Sequence, residues 1–169
     1  NVCPEAGGSG PTAIAAAAPR SRRDPAAVRL VAVSKTVDLE RIRAALDAGQ
    51  DLFGENYLQE AREEIAVLGR LMSWHLVGHL QSNKAREAVA LFDLILAVDR
   101  LKLARALDAA AARLGKVQDV LIQVNQGGED TKSGVTPEAA PALVQEVARL
   151  PHLRILGLMS MPPWYPDPE

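Results

Sequence analysis

Leu30-Val31-Ala32-Val33-Ser34-Lys35-Thr36 decides how this chain is read. Small and β-branched apolar residues run together and stop at a hydroxyl, a lysine and another hydroxyl. Such a continuous apolar run predicts a strand buried on both faces, as in a parallel sheet. Lys35 then stands at the strand's end, at the mouth of a core. A lysine partly withdrawn from water there holds its proton less tightly, and its free amine can attack a carbonyl. The plainer alternative is a lysine whose stem lies on the core edge while its ammonium reaches water. The turn Ser34-Lys35-Thr36-Val37 contains no glycine. Open doubly wound sheets that bind nucleotides usually place a glycine-rich turn after the first strand. Its absence favours a closed barrel.

Strand and helix patterns alternate outward from this segment. Asp38 reads as an N-cap for a helix with Leu39, Ile42 and Leu46 on one stripe, ending at Gly49. Asp51–Gly54 reads as a second strand. Asn56, with Gln59 three residues on, reads as the cap of a helix that turns Leu58, Ile65 and Leu68 inward. Trp74–Gly78 is a third strand, and Ser82 caps a helix running to Phe92. Asp93–Val98 is a fourth strand, and Asp99 caps a helix to Leu114 with Gly115 as its stop. Val117–Asn125 is a fifth strand, followed by the polar loop Gln126–Gly134. Thr136 and Pro137 open a further helix, and Leu153–Met159 is a sixth strand. Repeated βα units of this kind predict a parallel sheet covered by helices. A (β/α)8 TIM barrel needs eight strands and about 250 residues. The chain therefore reads as about three quarters of a barrel. Residues 1–29 are expected to be poorly ordered apart from a short helix at Thr12–Ala18, residues 30–161 to form the partial barrel, and residues 162–169 to be a Pro-rich tail.

Composition narrows the function classes. The 169 residues are 48% hydrophobic with a formal net charge of -2, enough for one domain with a substantial core. That balance gives no footprint for nucleic acid. Arg20, Arg22 and Arg23 lie among prolines and alanines and read as a solvated linker. The single cysteine, Cys3, fits a reducing cytoplasm and precludes an internal disulfide framework. No apolar run approaches the ~18 residues of a membrane helix, and Ala13–Ala18 is too short for a signal-peptide core.

Barrel chemistry sits at the C-terminal ends of the strands. Those ends carry Lys35, then Glu55 and Asn56, then His79, Gln81, Ser82 and Asn83, then Asp99 and Arg100, then Asn125, and finally Met159 and Ser160. A lysine among amides, hydroxyls and an imidazole suits an anionic carbonyl ligand, although Asn56, Ser82 and Asp99 also have capping explanations. His75 and His79 are four apart at a strand end and lack the glutamate of a helical zinc motif, so no metal is expected. Gly127–Gly134 has the wrong glycine spacing for a phosphate-binding Walker loop, and Gly8-Ser9-Gly10 lacks the strand-to-helix setting of a hydrolase nucleophile.

Five segments in order carry a resemblance. They are Leu30–Thr36, Phe53–Glu60, Trp74–Lys84, Glu129–Gly134 and Gly157–Met161. Together they resemble the pyridoxal phosphate homeostasis protein family over residues 30–161. The resemblance implies the fold type III barrel shared with the N-terminal domain of alanine racemase. It implies that Lys35 matches the lysine forming a Schiff base with pyridoxal 5'-phosphate (PLP), and that Asn56, Met159 and Ser160 lie beside that cofactor. His79 falls where the family also shows proline. The implied role is intracellular vitamin B6 homeostasis in the cytoplasm, as a PLP carrier or buffer without robust catalysis, with PLP-dependent apoenzymes as partners. The family's phosphate-holding strand ends and the arginine facing the pyridine nitrogen have no counterpart here. The intact family protein is expected to be a monomer, and the open edges of this chain predict oligomers or aggregates. The alternatives are a racemase-like enzyme, which needs a second acid/base, typically a tyrosine from another domain or subunit and not Tyr57 or Tyr165 as they are placed, a cofactor-free Schiff-base aldolase, and a non-functional or partner-binding fragment.

Overall fold

The computed structural model describes residues 10–127 and 133–161. Cys3, the first two residues of Gly8-Ser9-Gly10, the centre of the Gly127–Gly134 loop, Tyr165 and the Pro-rich tail lie outside the described residues. Residues 10–32 form a compact unit of their own. In it the expected short helix runs Gly10–Ala17 (α1), followed by 3-10 turns at Pro19–Ser21 and Pro25–Ala27. Asp24 caps the second turn by accepting the Ala26 amide at 3.0 Å.

The larger unit is the run of βα repeats. The strands of the sheet are β1 (Ala32–Val33), β2 (Leu52–Glu55), β3 (Ser73–Leu76), β4 (Leu94–Val98), β5 (Gln118–Val124) and β6 (Leu153–Ser160). Its helices are α2 (Leu39–Asp47), α3 (Leu58–Leu68), α4 (Ala85–Leu91), α5 (Leu101–Arg113) and α6 (Ala140–Val147). The sheet order β1-β2-β3-β4-β5-β6 is the order of the chain. The pairs from β2 through β6 are all parallel. β1 is shorter than the expected Leu30–Ser34. It is an edge strand with a neighbour on one side only, so few ladder bonds hold it, among them the Ser34 amide on the Gly54 carbonyl at 3.0 Å.

Register sorts the side chains into two faces. Leu76, Ile95 and Val120 are partners in the ladder and are almost wholly buried. With Trp74, Ile122 and the helix residues Ile42, Ala88, Leu103, Leu107 and Val147 they make the dry core between sheet and helices. Phe53 and Trp74 pair across β2 and β3 with ring centroids 5.8 Å apart. The adjacent register row, His75, Leu94, Asp119 and Arg154, is wetter, and Arg154 forks onto Asp119 at 2.6 and 2.8 Å. β6 is the other edge of the sheet and leaves Leu156 and Leu158 54% and 62% exposed.

Helix starts depart from the expected caps in most places. Asp38 does cap α2, its Oδ1 accepting the Arg41 amide at 2.9 Å. The N-caps of α3 and α5 are Tyr57 and Arg100 without side-chain bonds, one residue after Asn56 and Asp99. Ser82 opens a 3-10 turn before α4 and is not its cap. α6 begins at Ala140. The expected start at Thr136 is a single preceding turn, in which Thr136 receives the Ala139 and Ala140 amides. The displaced caps leave Asn56 and Ser82 without a capping task, and Asp99 instead pairs with Arg100 at 2.5 Å.

Candidate cofactor site

Because the strands are parallel, their C-terminal ends share one rim. At β1 that rim is a tight turn. The Val37 amide donates to the Ser34 carbonyl at 2.9 Å, placing Lys35 and Thr36 at its apex. Thr36 has φ 62°, a left-handed conformation that a β-branched residue rarely adopts. Lys35 is exposed, which corrects the expectation of a partly desolvated amine. It follows the last ladder bond, so the turn lifts it clear of the core.

The base of this turn is tied down from below. The Ser34 hydroxyl, buried, donates to Oε1 of Glu55 on β2. Glu55 is fully buried, and Glu64 of α3 is 7% exposed. Burial raises Glu55, against the lowering pull of the Ser34 bond, and the nearby Glu60 charge raises it further. Burial pushes Glu64 up to about 8, helped by the neighbouring Glu55 carboxyl and by the charge of Glu60.

Asn56 follows β2 and is half-buried. Its backbone is gripped by the end of β3. The Val77 amide reaches the Glu55 carbonyl at 2.8 Å, and a Cβ on Gly78 would stand 2.3 Å from the Asn56 carbonyl oxygen. Gly78 is therefore a close-approach glycine that fixes where Asn56 sits. Further round the rim, Ser133 Oγ lies 3.0 Å from His79 Nδ1, and Arg100 donates to the Leu80 carbonyl at 2.9 Å. The Val135 amide donates to the Gln123 carbonyl, and the Asn125 amide to the Val135 carbonyl, each at 2.9 Å. Met159 and Ser160 end β6, in register with Gln123 and Val124, and the buried Ser160 Oγ has no hydrogen-bond partner among the described residues.

Lys35 and Asn56 thus sit at the ends of neighbouring strands, whereas Met159 and Ser160 share the rim from the opposite edge of the sheet. Among the described residues no group of His, Cys, Asp or Glu is arranged to hold a metal ion, and no helix is long and apolar enough to cross a membrane. Sequence reading passed over Ser34, Thr36, Glu64 and Gly78. Glu64 left a signal, since it lies three residues after Ala61 and four before Leu68, on the stripe that α3 buries. Thr36 left none, because a residue's handedness is not written in its side-chain type.

The family model described as alanine racemase, N-terminal domain, matches residues 14–169. The chain belongs to that family. Within it, the chain is 46% identical over 147 residues to the pyridoxal phosphate homeostasis protein of Pseudomonas aeruginosa, covering 86% of this chain and 64% of the relative. The protein of the same name from Escherichia coli K12 is 44% identical over 154 residues, covering 88% and 65%. The chain thus spans a little under two thirds of the length of these curated relatives. The chain is also similar to the solved PipY of Synechococcus elongatus. Without PLP it is 40% identical with a TM-score of 0.79, covering 90% of this chain and 71% of PipY. The PipY structure with PLP bound is 41% identical with a TM-score of 0.74, covering 88% and 69%. Alanine racemase of Clostridium difficile, at 16% identity and a TM-score of 0.68 over 79% of this chain and 36% of its own, shares the fold alone. The six-stranded sheet is accordingly a barrel sheet of the alanine racemase N-terminal type.

Proposed function

We propose that this chain binds PLP at the rim formed by its strand ends and acts in intracellular PLP homeostasis, as a cytoplasmic carrier or buffer and not as a turnover catalyst. The observation that carries the reading is Lys35, a primary amine held exposed at the first strand end, in a chain 41% identical to a protein solved with PLP bound. The surrounding donors fit the group. Asn56 has no capping task, and the buried hydroxyl of Ser160 lacks a partner. Bound there, PLP supplies an aldehyde that condenses reversibly with a primary amine.

Lys35 provides that amine, and the Ser34–Val37 turn sets its position. Asn56, held by Gly78, orients polar groups of the ligand from the neighbouring strand, and Met159 with Ser160 lines the far side of the rim. Release to PLP-dependent apoenzymes follows from the openness of the rim around Lys35. A racemase reading has the shared fold in its favour and nothing else on the rim. Tyr57, the only tyrosine among the described residues, is 59% exposed at the start of α3.

The test is to add PLP to the chain, follow the absorbance of the lysine-bound form, reduce with borohydride and map the modified peptide. The expected result is one pyridoxyl group on Lys35 and loss of the band in Lys35→Ala. Modification spread over several lysines, or a band undiminished in Lys35→Ala, would overturn the reading.

A further inference from the structure

Beneath the turn that carries Lys35 lie two carboxyl groups with no cation paired to them among the described residues. Glu55 is wholly buried and Glu64 nearly so, and Oε2 of each is enclosed without a hydrogen-bond partner among the described residues. Half-buried Glu60, one helical turn before Glu64, has an orphan Oε2 as well. The charges bearing on the pair are all negative. Glu64 also lines a cleft of about 250 Å³, together with Glu60 and Glu63 of α3, Asp38 at the start of α2, Thr36 and Val37. The nearest cation along the chain is Arg62, two residues before Glu64, and it is exposed and pairs with Glu87 at 3.8 Å. Two ionised carboxylates in contact, out of water and without a counter-charge, are strongly disfavoured. A carboxyl that keeps its proton supplies the donor that orphan oxygens lack.

We propose that Glu55 and Glu64 share one proton, and that this buried pair, acting through the Ser34 hydroxyl, positions the turn bearing Lys35. Three contacts form the chain of command: Glu64 to Glu55, Glu55 to the Ser34 hydroxyl, and the Ser34 carbonyl to the Val37 amide at 2.9 Å. Glu64 is a positioning residue, since it touches neither Lys35 nor its ligand. The consequence for PLP rests on the function proposed above, but the device itself does not.

Ionisation of the second carboxyl puts two charges in the core and loosens their hold on Ser34. The sign follows from linkage. Glu64 binds its proton more tightly in the folded chain than in the unfolded one. Its contribution to stability is therefore complete below pH 4.5, declines as pH rises from there, and is gone above about 8.

The test needs no cofactor, so its failure is distinct from a failure to bind PLP. In the full chain, carbon NMR of the side-chain carboxyls is expected to show Glu64 titrating near 8, not near 4.5. Hydrogen exchange is expected to show the Ser34 and Val37 amides losing about tenfold in protection between about pH 6.5 and pH 9, with Val120 unchanged. Glu64→Gln keeps a donor toward Glu55 and cannot ionise, so protection should stay high across that range. Ser34→Ala should make the turn's protection low and independent of pH while Glu64 still titrates high. Ordinary acidic titration of Glu64 in the unmodified chain, a requirement on no variant's folding, would overturn the proposal. So would a Val37 pH profile that is the same in Glu64→Gln as in the parent.

Discussion

Thr36 and Gly78 show how much of the rim depends on single backbone positions. Thr36 holds φ 62° directly after Lys35, a conformation that costs a β-branched residue of order 1–3 kcal/mol. Gly78 has no such strain, yet nothing larger fits, since an added Cβ would stand 2.3 Å from the Asn56 carbonyl oxygen and 2.6 Å from its Cα. Both obstacles are backbone and cannot rotate aside. Gly78→Ala is therefore expected to destabilise the chain by about 2 kcal/mol or more, seen in urea unfolding, and to weaken PLP binding by displacing Asn56. An unfolding midpoint within error of the parent would show that β3 yields more readily than its packing suggests. The place of Lys35 at a strand end was legible because an apolar strand that stops at a lysine is a chemical anomaly. The grip of Gly78 on Asn56 was not, because it joins residues on different strands whose register no local pattern contains.

Elements were legible in kind more than in phase. Apolar runs located all six strands, and the stripe Leu39, Ile42, Leu46 located α2. α3 was placed correctly but rotated. Leu58, Ile65 and Leu68 were expected inward; Leu68 is buried with Ala61 and Glu64, whereas Leu58 and Ile65 are half-buried. A reading that counts apolar residues assigns a glutamate to solvent, and so misses a carboxyl that the core has taken in. Caps fared likewise. Several polar residues precede each helix, and which one closes it depends on how the preceding strand delivers the chain. Asp38 is the case where the two agree. Asp38→Ala removes the acceptor of the Arg41 amide and is expected to cost about 1 kcal/mol, measured as a lowered urea midpoint with an unchanged slope. The exposed Asp38–Arg41 ion pair adds little to that figure.

At the scale of the molecule, the barrel class followed from the βα rhythm and from the glycine-free turn after β1. The two edges, β1 and β6, are what most distinguish this chain from a closed barrel. Among the described residues β6 has a neighbouring strand on one side only, and it exposes Leu156 and Leu158. An apolar edge of this kind pairs readily with another chain. Sedimentation is expected to show this chain associating as its concentration rises, and Leu158→Lys should shift that association to higher concentration. Indifference to the lysine would place the contact elsewhere. The order of the sheet has a consequence of another sort. Each strand lies beside the one made immediately before it, with a helix in between, so every new βα unit emerging from the ribosome meets a template that is already complete. No strand must wait for a distant partner, and each loop closed on the way is short. Assembly can keep pace with synthesis, and the Lys35 turn, secured by β2 and α3 alone, is set in place before the rest of the rim exists.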